Sequence, residues 1–151
     1  MGNNWKITDT LTKVFADEVP DGQGSIRLST LHRETVSCVI AYLGAADWGR
    51  YWKVSVKAPE KIETRLRRVE LVPSAYPCHK EQDDNYLRIV PGMYPDLLRD
   101  LDTEDDGADK KYLTKEVPGQ WRSLWLDVTV DAEKEGKQTG CCKILAFPQQ
   151  G

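Results

Sequence analysis

The stretch WRSLWLDVTV, which spans residues 121–130, decides the fold because its side chains alternate with a period of two. One face of the predicted strand is wholly apolar and consists of Leu124, Leu126, Val128 and Val130. The opposite face mixes aromatic and polar side chains, namely Trp121, Ser123, Trp125, Asp127 and Thr129. Such alternation is typical of an antiparallel strand that buries one face in a core.

The same alternation recurs on both sides of this stretch. It predicts strands over residues 35–42, 51–57, 62–71 and 141–147, with weaker candidates at 11–15 and 25–28. Within 62–71, Val69 and Leu71 are out of phase with Leu66, which predicts a β-bulge near Arg67 and Arg68. About seven short strands with turn-forming residues between them predict an all-β fold, an Ig-like antiparallel β-sandwich.

Residues 73–120 do not follow this alternation and are rich in Pro, Asp, Lys and Tyr. We predict a long loop insertion here with at most one short helix. That helix would place four apolar side chains on one face, Tyr94, Leu97, Leu98 and Leu101. Insertions of this length in a compact domain usually serve function or docking.

Length and charge limit the possible functions. With 151 residues the chain has room for one domain, predicted to span residues 1–151. A (β/α)₈ barrel needs about 250 residues, so none fits in this chain. The net charge of -3 argues against nucleic acid or an anionic membrane as a partner. The sequence contains neither a signal peptide nor an apolar run long enough to span a membrane, which favours a cytoplasmic location.

Three groups of residues invite a chemical interpretation. Cys78 and His79 could form a nucleophile, but adjacent residues rarely meet productively, so a thiol beside a solvated imidazole is the stronger interpretation. Cys141-Cys142 is vicinal and would point to opposite faces of a strand, which argues against zinc. The acidic run 102–106 resembles the start of a calcium loop, yet Leu113 stands where a bidentate Glu is needed. We therefore predict no catalytic, cofactor or metal residues, and reduced cysteines.

Four tryptophan side chains are the most informative candidates for contact with another molecule or domain. Trp48, Trp52, Trp121 and Trp125 could stack on sugar rings, anchor contacts with another domain, or pack under the insertion. Packing in the core or against another domain is the stronger interpretation, because a thick insertion can bury these rings.

Four stretches in order resemble a known family. They are Arg33-Glu34-Thr-Val-Ser, Asn85 through the Pro91-Gly-Met-Tyr-Pro-Asp-Leu-Leu98 run, Gly119-Gln120-Trp-Arg-Ser-Leu-Trp125, and Gly136-Lys-Gln-Thr-Gly140. Together they resemble the N-terminal β-sandwich domain of glycoside hydrolase family 123 and its uncharacterised relatives, over residues 5–147. The positions that carry the resemblance, and that it implies are structural, are Arg33, Glu34, Tyr94, Pro95, Asp96, Gly119, Gln120, Trp125, Gly136 and Gly140.

The resemblance implies that catalysis is carried out by a domain other than this one. Members of this family are similar to exo-acting β-N-acetylgalactosaminidases, in which an Asp-Glu pair on a TIM barrel assists attack by the acetamido group of the substrate. Because that pair belongs to the barrel, this chain is expected to be a non-catalytic accessory domain without cofactors. Its expected partner is a catalytic barrel that follows residue 151 in a longer protein, with a glycan as a further candidate. Two alternatives stay open, a free-standing carbohydrate-binding module that uses the tryptophans and a small enzyme that uses Cys78 and His79.

Overall fold

The computed structural model describes residues 4–44, 51–81, 85–105, 110–131 and 143–148, and these contain nine strands and no helix. The strands are β1 (Trp5–Thr8), β2 (Thr35–Leu43), β3 (Tyr51–Lys57), β4 (Ile62–Ser74), β5 (Gly92–Asp100), β6 (Asp102–Asp105), β7 (Lys110–Lys115), β8 (Trp121–Val130) and β9 (Lys143–Pro148). A five-stranded sheet has the order β1-β2-β8-β4-β5, and a four-stranded sheet has the order β6-β7-β3-β9. All neighbouring strands within the two sheets are antiparallel. The predicted all-β antiparallel sandwich is confirmed.

The core lies between the two sheets. Its buried members come from both sheets and include Cys38, Ile40, Tyr42, Val54, Val56, Leu66, Tyr112, Leu124 and Leu126. In β8 the buried Leu124 and Leu126 alternate with side chains on the opposite face, as the sequence predicted. β8 holds this position because it pairs with β2 on one side and with β4 on the other.

Two of the weaker strand predictions were wrong. Residues 11–15 and 25–28 are not strands, whereas β1 was missed. The segment 11–15 instead crosses the five-stranded sheet as part of a longer connection, and its Val14 and Phe15 are buried there. Apolar side chains in a covering segment produce a short alternating pattern much like that of a strand.

The prediction of a long loop insertion was also wrong for most of residues 73–120, and the described part of this region contains no helix. Strands β5, β6 and β7 lie within this region, and its described residues outside the named strands are 75–81, 85–91, Leu101 and 116–120. Leu97 and Leu98 belong to β5, which pairs with β4 from Gly92 to Asp100. A two-turn helix is marginal by itself, whereas the free edge of β4 offers a row of backbone partners.

The bulge lies three residues from its predicted position. Pairing of β4 with β8 runs without interruption from Ile62 to Val69, and the register with β5 shifts only between Glu70 and Leu71. At that shift Glu70 pairs with Leu97 and Leu71 pairs with Pro95, so Asp96 is the extra residue on β5. The out-of-phase Val69 needs no bulge because it is buried on the outer face of the sheet.

Gly44 shows where backbone packing restricts the sequence. Its N–H donates to the carbonyl of Gln120 at 3.0 Å, and its own carbonyl accepts from the N–H of Gly119 at 3.2 Å. A Cβ added at Gly44 would lie 2.0 Å from the carbonyl oxygen of Val117, which is backbone and cannot rotate away.

The substitution Gly44→Ala is therefore expected to destabilise the fold. Forced overpacking should lower the free energy of unfolding by about 1–3 kcal/mol, measured by urea denaturation. Gly24→Ala is the matched control, because a Cβ there meets nothing within 4 Å. Equal midpoints for the two variants would contradict this account of the Gly44 contact.

Candidate interaction surface

The outer face of the five-stranded sheet, which points away from the second sheet, is covered by the segment 9–18. We call this segment the strap. It leaves the end of β1, and Asp9 starts it by accepting hydrogen bonds from the N–H groups of Leu11 and Thr12, each at 2.9 Å. Val14 then packs in a second buried cluster with Val39, Ala41 and Trp121. The strap thus keeps the outer face of β2 and β8 from water.

The strap is also bound to β5, at the far edge of the sheet. Lys13 Nζ lies 2.8 Å from Asp96 Oδ1 and donates to the carbonyl of Pro95 at 3.2 Å. Asp96 is the bulge residue, and a bulge redirects the side chain of the residue it leaves unpaired. Beneath this contact lies a groove of about 180 Å³, lined among others by Val39, Val69 and Trp125.

Arg88 joins the end of the strap to the segment 85–91, which lies outside the strands. Its Nη2 donates to Asp17 Oδ1 at 2.9 Å and also to Glu18, and its guanidinium lies 3.8 Å from the ring centroid of Phe15. The hydrogen bond to Asp17 raises the pKa of Arg88, and the same bond lowers the pKa of Asp17. The contact is therefore an ion pair at any ordinary pH.

Tyr94 of β5 fixes the backbone on either side of Ile89. Its hydroxyl lies 3.2 Å from the carbonyl oxygen of Arg88 and 2.6 Å from that of Val90. The ring of Tyr94 meets the ring of Phe15 edge-on, with centroids 5.8 Å apart and an interplanar angle of 82°. Strap, loop and β5 thus form one connected unit.

Six exposed apolar side chains lie within residues 76–93, in and next to the segment that Arg88 and Tyr94 hold. We call them the apolar corner, and its members are Tyr76, Tyr86, Leu87, Ile89, Val90 and Met93. Tyr76 is 93% exposed and Leu87 is 73% exposed. Two of them, Tyr86 and Leu87, line a groove of about 540 Å³ together with Val72 and Tyr94. Large apolar patches on a protein surface commonly mark contact sites.

Asp127 organises the other end of the outer face. Its carboxylate accepts hydrogen bonds from Ser37 Oγ and Trp125 Nε1, both at 2.7 Å, and from Arg67 Nη2 at 2.6 Å. Burial by itself would raise the pKa of Asp127, but the bonds from Ser37 and Trp125 and the charge of Arg67 outweigh it and hold the pKa below its usual value. No imidazole stands between Ser37 and this carboxylate, so the arrangement ties strands β2, β4 and β8 together and does not activate the serine.

The substitution Asp127→Asn should destabilise the fold by roughly 1–3 kcal/mol at neutral pH, because it removes charge-assisted hydrogen bonds and leaves Arg67 without its carboxylate. A folded-state pKa below the unfolded value near 3.9 means that the stabilisation is complete well above that pH. It is lost as the pH falls through the folded pKa. Denaturation curves of the two proteins should therefore converge in acid.

Asp100→Asn is the matched control for this variant. Asp100 also pairs with an arginine, Arg65, but both side chains are largely exposed, so solvent screens the pair. A pH-independent difference between wild type and Asp127→Asn would show that the ionised carboxylate is not what stabilises the sheet.

The four tryptophans of interest lie in different surroundings. Trp121 is buried on the outer face, and Trp125 is half-buried with its Nε1 bound to Asp127. Trp52 is half-buried against Trp5 and Tyr42, with ring centroids 4.9 Å and 6.1 Å away. Trp48 lies outside the described residues. The three described rings are thus mostly covered by the protein itself.

The positions that carry the family resemblance fall into three places. Tyr94, Pro95, Asp96 and Trp125 meet around the strap on the outer face. Gly119, at φ +70°, and Gln120 form the close turn onto Gly44 before β8.

Arg33 and Glu34 build the turn that leads into β2. Arg33 has a φ of +59° and donates through Nε to Asp131 Oδ1 at 3.1 Å, while Glu34 accepts from the N–H of Leu31 at 2.9 Å. That contact with Arg33 lowers the pKa of Asp131. Gly136 and Gly140 lie outside the described residues.

The described residues that were candidates for catalysis or metal binding do not lie together in one site. The Cys78 thiol lies 3.6 Å from the carbonyl oxygen of Ile89, and His79 beside it is exposed. Residues 102–105 form the extended strand β6, whereas a calcium loop wraps its backbone around the ion; Asp106 and the Cys141-Cys142 pair lie outside the described part of the chain. Among the residues that the structure describes, no three His, Cys, Asp or Glu side chains are grouped so that they could hold a metal ion.

In the described segments no helix is long and apolar enough to cross a membrane. Comparison with known proteins finds neither a family model nor a curated protein that matches this chain.

Neither the strap nor the contacts of Arg88 are predicted by the sequence pattern. Asp17 and Glu18 are exposed carboxylates, which gives no reason to expect a distant arginine between them and an aromatic ring. One available signal was the order Leu87-Arg88-Ile89, in which a charged residue alternates with apolar ones inside a segment predicted to be a loop.

Proposed function

We propose that this chain is a non-catalytic N-terminal accessory domain of a glycoside hydrolase similar to β-N-acetylgalactosaminidases, and that it braces the catalytic barrel of that enzyme. The sequence resemblance supports the enzyme class. The apolar corner is the structural observation that carries the docking role, because it offers another domain an apolar surface at one edge of the sandwich.

Burial of the apolar corner against another domain would be favourable in free energy. Burial of one Leu, Val or Ile side chain that was exposed stabilises a contact by about 1.5–3 kcal/mol. Several such side chains can offset the entropy lost when two surfaces associate, particularly when a linker joins the two domains. Interfaces between domains of one chain typically bury about 600–1,500 Å².

The location of the resemblance is consistent with this role. Tyr94, Pro95 and Asp96 are not scattered over the sheet but hold the strap and the segment 75–91 together directly beneath the apolar corner. Residues shared with a domain that packs on a barrel would be expected at the place where the packing surface is built.

A carbohydrate-binding module requires two coplanar, exposed aromatic rings as a platform. Trp52, Trp121 and Trp125 are mostly covered and lie in three different environments, which favours docking over sugar stacking. Tryptophan fluorescence titrated with a panel of glycans should therefore stay unchanged.

The docking role is tested by producing the chain and the downstream part of its parent protein as two separate polypeptides. The isolated chain should not hydrolyse a chromogenic β-N-acetylgalactosaminide, and it should bind the downstream part in calorimetry. Tyr76→Ser combined with Val90→Ser should weaken binding by about tenfold or more, the loss expected when apolar anchors at the centre of an interface are truncated.

Leu31→Ser is the matched control, since Leu31 is 75% exposed and lies at the turn before β2, away from the apolar corner. Hydrolysis by the isolated chain that disappears on substitution within it would overturn the proposal. A parent protein without a barrel would overturn it as well.

A further inference from the structure

The groove of about 180 Å³ on the outer face of the five-stranded sheet has a floor that three neighbouring strands build together. Val39 of β2, Ser123 of β8 and Val69 of β4 line it, and each is more than nine-tenths buried. The strap contributes Thr10, Thr12, Lys13 and Val14, and β5 contributes Pro95, Asp96 and Leu98. Because the floor consists of paired strands, the groove keeps its shape without a ligand, as binding pockets usually do.

The charged groups at this groove already have partners within the protein. Lys13 Nζ lies 2.8 Å from Asp96 Oδ1 and donates to the carbonyl of Pro95 at 3.2 Å, and the two side chains are 43% and 62% exposed. Solvent screens an ion pair that is so exposed, so a charged ligand would gain little by displacing either member. A ligand of this groove should therefore be neutral.

The hydroxyl of Ser123 is the polar group that the floor of the groove offers to a ligand. Ser123 is 3% exposed, and its neighbours across the two adjoining strands are the apolar Ala41 and Val69. The hydrogen bonds that tie this face together belong to Lys13, Asp96, Ser37, Arg67, Trp125 and Asp127, and none of them involves Ser123. An alanine would pack there without a polar group that needs a partner, whereas a hydroxyl that lines a groove can bond to a molecule that enters it.

The volume of the groove limits the ligand to about one ring. A cavity of about 150 Å³ with aliphatic and aromatic walls accommodates benzene. The groove has about 180 Å³, which leaves room for one small substituent on such a ring. Val39, Val69 and Leu98 offer aliphatic contacts, and Trp125 offers an aromatic one, which favours a flat ligand.

We propose that this groove binds a small neutral molecule with one hydroxyl on a single six-membered ring, of which phenol is the simplest example. The ring packs on Val39, Val69 and Trp125, and the hydroxyl forms a hydrogen bond with Ser123 Oγ. No member of the apolar corner lines this groove. The inference is therefore independent of the proposed docking role, and either can fail without the other.

The site is tested on the intact chain by nuclear magnetic resonance, with phenol titrated into ¹⁵N-labelled protein. The indole N–H signal of Trp125, assigned with Trp125→Phe, should shift and saturate with a dissociation constant on the order of 1 mM or below, as expected for so small a ligand. The indole signal of Trp52, which belongs to the other sheet, should stay in place. A Trp125 signal that does not saturate, or equal shifts at Trp52, would overturn the site.

The hydrogen bond is tested by comparing phenol with toluene in the wild type and in Ser123→Ala. The substitution should weaken phenol binding by about three- to tenfold, the usual worth of one neutral hydrogen bond, and leave toluene binding unchanged. Ser74→Ala is the matched control, since it removes a hydroxyl from the groove of about 540 Å³ and should affect neither ligand. Equal losses for phenol and toluene would mean that Ser123 does not bind the hydroxyl.

Two further measurements test the position and the charge of the ligand. Leu98→Phe should fill the groove and abolish phenol binding, whereas Leu87→Phe at the other groove should not, with the spectra of both variants confirming that they fold. A folded Leu98→Phe protein with wild-type affinity would contradict the placement. Benzoate, which carries a charge on the same ring, should bind no more tightly than toluene, and tighter binding would contradict the neutral class.

Discussion

The pairing of β8 with its two neighbours is the constraint on which the rest of this structure depends. β8 pairs with β2 along Thr35 to Leu43 and with β4 along Ile62 to Val69, so it cannot slip by one residue without turning Leu124 and Leu126 out of the core. The same register sends Ser123, Trp125 and Asp127 to the outer face. Both faces of the central sheet are thereby set by one strand, and the outer face acquires a polar network at one end and an apolar surface at the other.

The apolar side chains on that outer face explain why the strap covers it. A sheet face that carries Val39, Ala41 and Trp121 cannot stay open to water at low cost, and Val14 of the strap covers it. Once the strap crosses the sheet, its Lys13 reaches the bulge residue Asp96 and its last carboxylates reach Arg88. The apolar corner is therefore organised from the opposite edge of the sheet, through a covering segment and not through strand pairing alone.

The predictable part of the fold is the part in which period-two alternation and pairing agree. β2, β3, β4 and β8 were identified from the sequence because each alternates over enough residues to bury one face. β5 was misassigned because Tyr94, Leu97, Leu98 and Leu101 also fit helical spacing, and its strand conformation comes from pairing with β4, which no local pattern contains. The strap and the Arg88 contacts were not predicted for a related reason. Asp17 and Arg88 are far apart in sequence and meet only after the sheet has formed.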